Sequence, residues 1–266
     1  MNLIKADIYK ILKGKAMWVV FAIMLANVGM IVLTDAAIMG VMIEGEVAAP
    51  VGVELVQGVT GVASATQLLF SQMNNMPFFV LGAVMIVSAP IFANGTVKND
   101  IARGISRTKI YVSKVLIASG LALLLWLAKM ALGISIYGIA NGFAGELPVG
   151  FWTNLAFTSA SQLFILLAVV CFTTFLMFTL KRSGMVIGIF MAVFLLPMSL
   201  ISLLNFFNPD LATIMANFDL ITSLGRLGFI NQLDTWEVMT VLGGGAAFMV
   251  ISTIVGLASF RKAEIK

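Results

Sequence analysis

Residues 98–139 read KNDIARGISRTKIYVSKVLIASGLALLLWLAKMALGISIYGI. Residues 98–114 hold five basic residues and one acid, whereas residues 115–139 hold a single charge, Lys129. A helix needs about 20 apolar residues to cross the hydrocarbon core of a bilayer. Residues 115–139 therefore read as a membrane span, and 98–114 as the loop that feeds it. Short basic loops resist translocation and stay on the cytoplasmic side, so the same stretch orients the span.

The alternation runs through the whole chain. Fourteen of the sixteen Lys and Arg fall in four patches, residues 5–15, 98–114, 181–182 and 261–266, and nine of the twelve acids fall between them. Four inside patches separated by three outside segments give six crossings with both termini cytoplasmic. The expected fold is all-α, a polytopic membrane protein of six transmembrane helices forming one domain over residues 1–266. Spans are expected at about 16–34, 67–92, 115–139, 155–180, 185–204 and 238–258. The clean apolar part of the second, Phe78–Phe92, is too short to cross alone. Its helix is expected to begin near Gln67 and to kink at Pro77, which lacks an amide hydrogen. In residues 2–15, Ile4, Ile8, Ile11 and Leu12 share one helical face while Lys10 and Lys13 lie away from it. That is the pattern of an amphipathic interfacial helix. The outside segments 35–76 and 205–237 are expected to carry surface or re-entrant helices, around Val53–Phe70 and around Leu211–Ile221.

Composition agrees and excludes several functions. The chain is 61% hydrophobic and 11% charged, with mean hydropathy +1.07, against about 25% charged in a soluble domain. The net charge of +4 reads as orientation signal and contact with membrane lipids, not as nucleic-acid affinity. The chain has no His, which removes Ser–His and zinc H-E-x-x-H hydrolysis and His-ligated haem. No pair of aspartates lies within a span. Cys171, the one cysteine, sits in mid-span and reads as a small buried hydrophobe. The N-terminal stretch lacks the pattern of a cleaved signal peptide. The expectation is a chain that is not an enzyme and binds no metal or cofactor.

The longest cytoplasmic connection, Asn94–Lys114, reads as two helical pieces. Thr96 can cap the first, with Val97 and Ile101 on one face and Lys98, Asp100 and Arg103 exposed. Gly104 suits a helix stop, and Ser106 can cap a second helix that runs through Tyr111 into the third span. Such a short exposed helix suits docking into a partner. The residues alone fit equally a solvated positive-inside loop.

GTVKNDIARGISRTKIYVSK, residues 95–114, resembles the coupling segment of type 2 ATP-binding-cassette exporter permeases of the small six-span bacterial kind, matching at Gly95, Thr96, Lys98, Asn99, Gly104, Ser106, Arg107, Tyr111 and Lys114. The closing Phe260-Arg261-Lys262-Ala263-Glu264-Ile265 is similar to the family's ending. The acid that members often carry before the Gly-Thr pair is absent, since residues 89–93 read APIFA. The resemblance implies that Thr96, Lys98, Asn99, Asp100, Ile101, Arg103, Gly104, Ser106 and Arg107, within a coupling segment at 94–106, contact a separate cytoplasmic ATPase subunit. ATP and Mg would be bound there, because this chain has no phosphate-cradling G-x-x-x-x-G-K-[ST] loop. It further implies a second permease subunit, identical or related, and a bacterial cell membrane. The cargo would be amphipathic or antimicrobial peptides or hydrophobic compounds, moved outward, in some members for self-immunity. An autonomous secondary transporter or channel is the alternative.

Lys129 is out of place. A lysine within a span costs about 3 kcal/mol on insertion scales and faces a cavity or a partner. It lies about 22 Å along the helix from Lys114 at 1.5 Å per residue. It reads either as a snorkelling or structurally paired residue, or as part of a translocation path with Gln162, near Thr173 and Thr174.

Overall fold

In apolar surroundings a backbone must satisfy its own hydrogen bonds, which favours helices as spanning elements. The computed structural model describes residues 3–44, 62–141, 147 and 149–262, and all regular structure among them is helical. In chain order the helices are α1 (Leu3–Lys13), α2 (Lys15–Glu44), α3 (Val62–Ser71), α4 (Met76–Ala93), α5 (Thr96–Ala102), α6 (Arg107–Asn141), α7 (Phe151–Leu180), α8 (Ser183–Phe207), α9 (Pro209–Phe218), α10 (Leu220–Arg226) and α11 (Thr235–Lys262). A 3-10 turn, Gln72–Asn75, joins α3 to α4, and another, Leu227–Gln232, follows α10.

Among the described residues six segments are long and apolar enough to cross a membrane: Lys15–Thr34, Ala65–Ala93, Arg107–Ile139, Phe151–Leu180, Ser183–Phe207 and Thr235–Lys262. They fall on the six expected stretches but run further into polar flanks, because helical hydrogen bonding does not stop where apolar side chains do. Thus α6 starts at Arg107, well before the apolar run that begins at Val115. The surface helix expected around Val53–Phe70 lies partly in 45–61, outside the described residues, and from Val62 onward it is α3. The tail residues 263–266 also lie outside them.

The expected kink at Pro77 takes a different form. Pro77 cannot donate to Met73 O, and the Met76 N–H bonds Met73 O instead, tightening the turn to 3-10. The chain stays helical through Asn75 and Met76, so 65–93 runs as one span through a tightened turn.

The central element is α7, in which nearly every residue from Ile165 to Phe178 is buried. It packs with α4, α6, α8 and α11 around one core that includes Val80, Val84, Leu121, Leu125, Ile165, Val169 and Phe190. By contrast α2 and α8 present broad exposed apolar faces, among them Trp18, Ile23 and Met30, and Leu195, Leu196 and Leu203. Lipid tails are as apolar as these side chains, so close packing rather than water exclusion decides which helices associate.

Each end of the bundle is closed differently. Near α5, Phe178 meets Phe92, Tyr111 and Phe260 edge-on, with ring centroids 5.2, 5.0 and 4.8 Å away. A Cβ on Gly256 would stand 2.5 Å from the Tyr111 hydroxyl, so only glycine lets α11 approach α6 there. At the opposite end, α3 and its 3-10 turn pack against α10 and the turn after it. A Cβ on Gly228 would lie 2.5 to 2.8 Å from backbone atoms of Phe70 and Ser71, whereas one on Gly225 would lie 3.3 Å from Ser71 O. Backbone cannot swing aside as a side chain does. Gly228→Ala is therefore expected to cost about 1–3 kcal/mol and Gly225→Ala clearly less. Thermal unfolding of the purified protein in detergent checks the order.

Candidate functional site

The segment singled out in the sequence forms a short helix on two glycine turns. Gly95 enters α5 with φ +62°, and Gly104 leaves it with φ +81°, conformations that glycine adopts without cost. At the exit the Gly104 N–H bonds Ile101 O at 2.9 Å and the Ile105 N–H bonds Asp100 O at 3.1 Å. This pair of bonds is a Schellman stop. Thr96 does not cap α5 as expected. Gly95 occupies the cap position, and the Thr96 hydroxyl donates back to Ile91 O at 3.5 Å. Ser106 does cap α6, its Oγ accepting from Lys109 N at 3.4 Å.

The faces of α5 divide cleanly. Val97 is buried, and Ile101 and Ile105 pack with it onto Ile91, Ile110, Tyr111, Phe178 and Phe260. Lys98, Asn99 and Arg103 are exposed, and Asp100 is half-buried. Arg107 points elsewhere. Its Nη1 donates to Phe260 O at 3.2 Å and Arg261 O at 2.7 Å, capping the end of α11. Arg261 returns a bond to the Thr108 hydroxyl at 3.0 Å. The outward basic face of α5 thus rides on a clasp that joins α4, α6, α7 and α11.

A cleft of about 1050 Å³ opens between α1, the end of α4 and α5, lined by Asp7, Lys10, Asn94, Asn99, Asp100 and Arg103 among others. On its wall Lys114 Nζ pairs with Asp7 Oδ2 at 2.6 Å, the lysine 5% and the aspartate 17% exposed. This pair fastens α1 to α6. Sequence reasoning missed it, although the signal was present: Asp7 is the one acid in α1 and falls three residues after Ile4 and four before Ile11, the spacing of one helical face. An acid there calls for a partner.

Lys129 and Gln162 converge, far from this face, on the turn before α4. Lys129 is 0% exposed, so it does not snorkel. Its Nζ donates to Gln72 O at 2.8 Å and Asn75 Oδ1 at 2.6 Å. The Asn75 amide donates in turn to Asn27 Oδ1 on α2 at 3.2 Å. Lys129 thereby adds a charged donor to a carbonyl of the 3-10 turn that Pro77 enforces. Gln162 Nε2 donates to Phe70 O at 2.9 Å and Leu224 O at 3.0 Å, tying α3 to α10. Thr173 bonds Val169 O within its own helix.

On the connection between α8 and α11, Arg226 bonds Glu237 Oε1 at 2.7 Å and also Asn217 Oδ1. Asp219 caps α10 by accepting from Thr222 N at 2.8 Å and Thr222 Oγ1 at 2.6 Å. Burial pushes its carboxyl above the usual aspartate range. Among the described residues no group of acids and cysteine is arranged to hold a metal ion.

No protein-family model and no curated protein matches this chain.

The link between Pro77 and Lys129 is testable as a double-mutant cycle. Lys129→Met removes the charged donor shared by Gln72 O and Asn75 Oδ1, a loss worth about 1–3 kcal/mol. With Pro77→Ala the N–H is restored, Met76 can return to Gln72 O, and the cost of Lys129→Met is expected to fall by at least ~1 kcal/mol. Equal costs in the two backgrounds, measured by unfolding in detergent, would show that the proline and the lysine act independently.

Proposed function

We propose that this chain is the membrane-spanning subunit of an ATP-driven exporter, of the type 2 ATP-binding-cassette permease kind, powered by separate cytoplasmic ATPase subunits. The observation that carries the reading is α5. It is a seven-residue helix that turns Lys98, Asn99 and Arg103 outward while its other face is anchored in the core of four spans. A solvated loop has no need of such anchoring. The match of residues 95–114 to the family's coupling segment points the same way.

In this reading the α5 end faces the cytoplasm, where the basic patches belong. Both termini lie there, and α1 lies in the headgroup layer of a bacterial cell membrane. The complex holds two permease subunits, identical or related. ATP and Mg bind the ATPase, and the chain itself catalyses nothing. Closure of the ATPase pushes α5, a two-state input of the kind that shifts packed elements as bodies. The cargo is an amphipathic peptide or a hydrophobic compound.

Through the Phe178 cluster the push reaches α4, α6, α7 and α11 together, rather than only the two spans to which α5 is joined in sequence. Arg103→Glu is expected to leave the unfolding midpoint unchanged and to lower transport-coupled ATP hydrolysis at least about tenfold, or ~1.4 kcal/mol of coupling. The assay is stimulated ATPase activity of the reconstituted complex, and wild-type transport with that charge reversed would refute the assignment. Arg107→Ala is expected to keep ATPase binding in a pull-down yet weaken stimulation, because the clasp to α11 is opened while the docking face stays intact.

A further inference from the structure

A cavity of about 330 Å³ lies beside Pro197 of α8, bounded by Phe194, Ile201, Phe218, Asp219 and Phe248. We propose that it is a binding site for a lipophilic cation, the apolar body lying among the three phenylalanines and the positive charge against Asp219. As a site for exported cargo this rests on the exporter reading, but the binding itself does not.

The size and lining suit the assignment. Small-molecule sites run from about 300 to 1,000 Å³ and are mostly apolar, with a few polar groups that fix orientation. The inner wall is made of rings: Phe194 is buried and packs against Phe190 at 4.5 Å and edge-on against Phe172 at 5.6 Å, and Phe172 meets Phe248 at 4.9 Å. The mouth is apolar as well, since Val193, Ile214 and Phe218 on the lining are exposed. A ligand therefore enters through surfaces of membrane-facing character rather than through a polar vestibule.

Asp219 sets the sign of the charge. It is the one charged residue on the lining and is 7% exposed. Its Oδ2 accepts from the Thr222 amide and hydroxyl, and the Ile221 amide also bonds the carboxylate, so every partner it has is a neutral group of its own helix. Among the described residues no lysine or arginine pairs with it, and Arg226, the one base on residues 208–234, is held by Glu237 and Asn217. Capping does not explain the charge, because Asn or Ser caps a helix as well as Asp does without burying a carboxylate beside an apolar cavity. A cation in the cavity offsets that burial.

The test uses the purified full chain in nanodiscs, without any ATPase. Tetraphenylphosphonium is the charged probe and triphenylphosphine oxide the neutral control. Saturable tetraphenylphosphonium binding is expected, weakened about tenfold or more in Asp219→Asn, which retains a capping side chain. The neutral probe should bind both proteins alike. Ile201→Trp, which fills the cavity, should abolish binding of both probes and decides the matter if Asp219→Asn unfolds. Equal tetraphenylphosphonium affinity in wild type and Asp219→Asn, or binding that survives Ile201→Trp, would overturn the site. Binding that behaves as expected in a chain that recruits no ATPase would keep the site and sink the exporter reading. Cation-stimulated ATP hydrolysis unchanged in Asp219→Asn would do the reverse.

Discussion

The nitrogen of Pro77 carries no hydrogen, and much of the molecule follows from that. In water an orphaned carbonyl would take a solvent donor. In apolar surroundings each unpaired group costs several kcal/mol and must find a partner within the protein. The helix responds by tightening over Gln72–Asn75, so that Met73 O takes the Met76 N–H in place of the one proline lacks. Lys129, two helices away in sequence, reaches Gln72 O and Asn75 of that tightened turn. Asn75 then engages Asn27, so α2, α4 and α6 are joined through one turn. The buried lysine is thereby explained by backbone chemistry without a carboxylate partner.

The same segment is held from its other side by Gln162, and the glycines of the connection after α9 allow backbone to lie against backbone there. This end of the bundle is organised by hydrogen bonds, which are directional and short-ranged. The α5 end is organised by aromatic rings around Phe178, by the Arg107 cap on α11 and by the bond from Arg261 to the Thr108 hydroxyl. Ring packing tolerates small rigid-body shifts better than a buried hydrogen-bond network does, because a broken buried bond leaves a group unpaired. In an exporter, an input at α5 would be received where packing can slide and resisted where bonds cannot stretch.

Six helices and their approximate limits were legible because charge and apolar length are properties of the chain itself. The stop at Gly104 and the cap at Ser106 were legible for the same reason: both depend on residues adjacent in sequence. The Thr96 cap failed because Gly95, with its free φ, takes the cap position and releases the hydroxyl to Ile91 O. Lys129 and Gln162 were noticed as polar residues in apolar spans, but their partners are mostly backbone carbonyls, and every residue has one. No residue pattern announces which of those carbonyls a buried side chain will reach. Arg107 matches a motif, but its bonds to Phe260 O and Arg261 O join residues more than 150 apart and leave no local trace.

That long-range bond also bears on which helices can move together. The clasp takes in α4, α6, α7 and α11 at one end, and α7 carries a continuous buried core away from it. The helices α2 and α8 lie outside this block, with most of their apolar surface uncovered. Helices associate in a bilayer only as well as their surfaces fit, so a loosely covered helix is the one that yields when the block shifts. For α8, yielding changes the space beside Pro197, where Phe194 and Ile201 face Phe248 and Asp219 across the cavity. A cavity whose walls belong to a shifting block on one side and a peripheral helix on the other is where a displacement begun at α5 would alter affinity for a ligand.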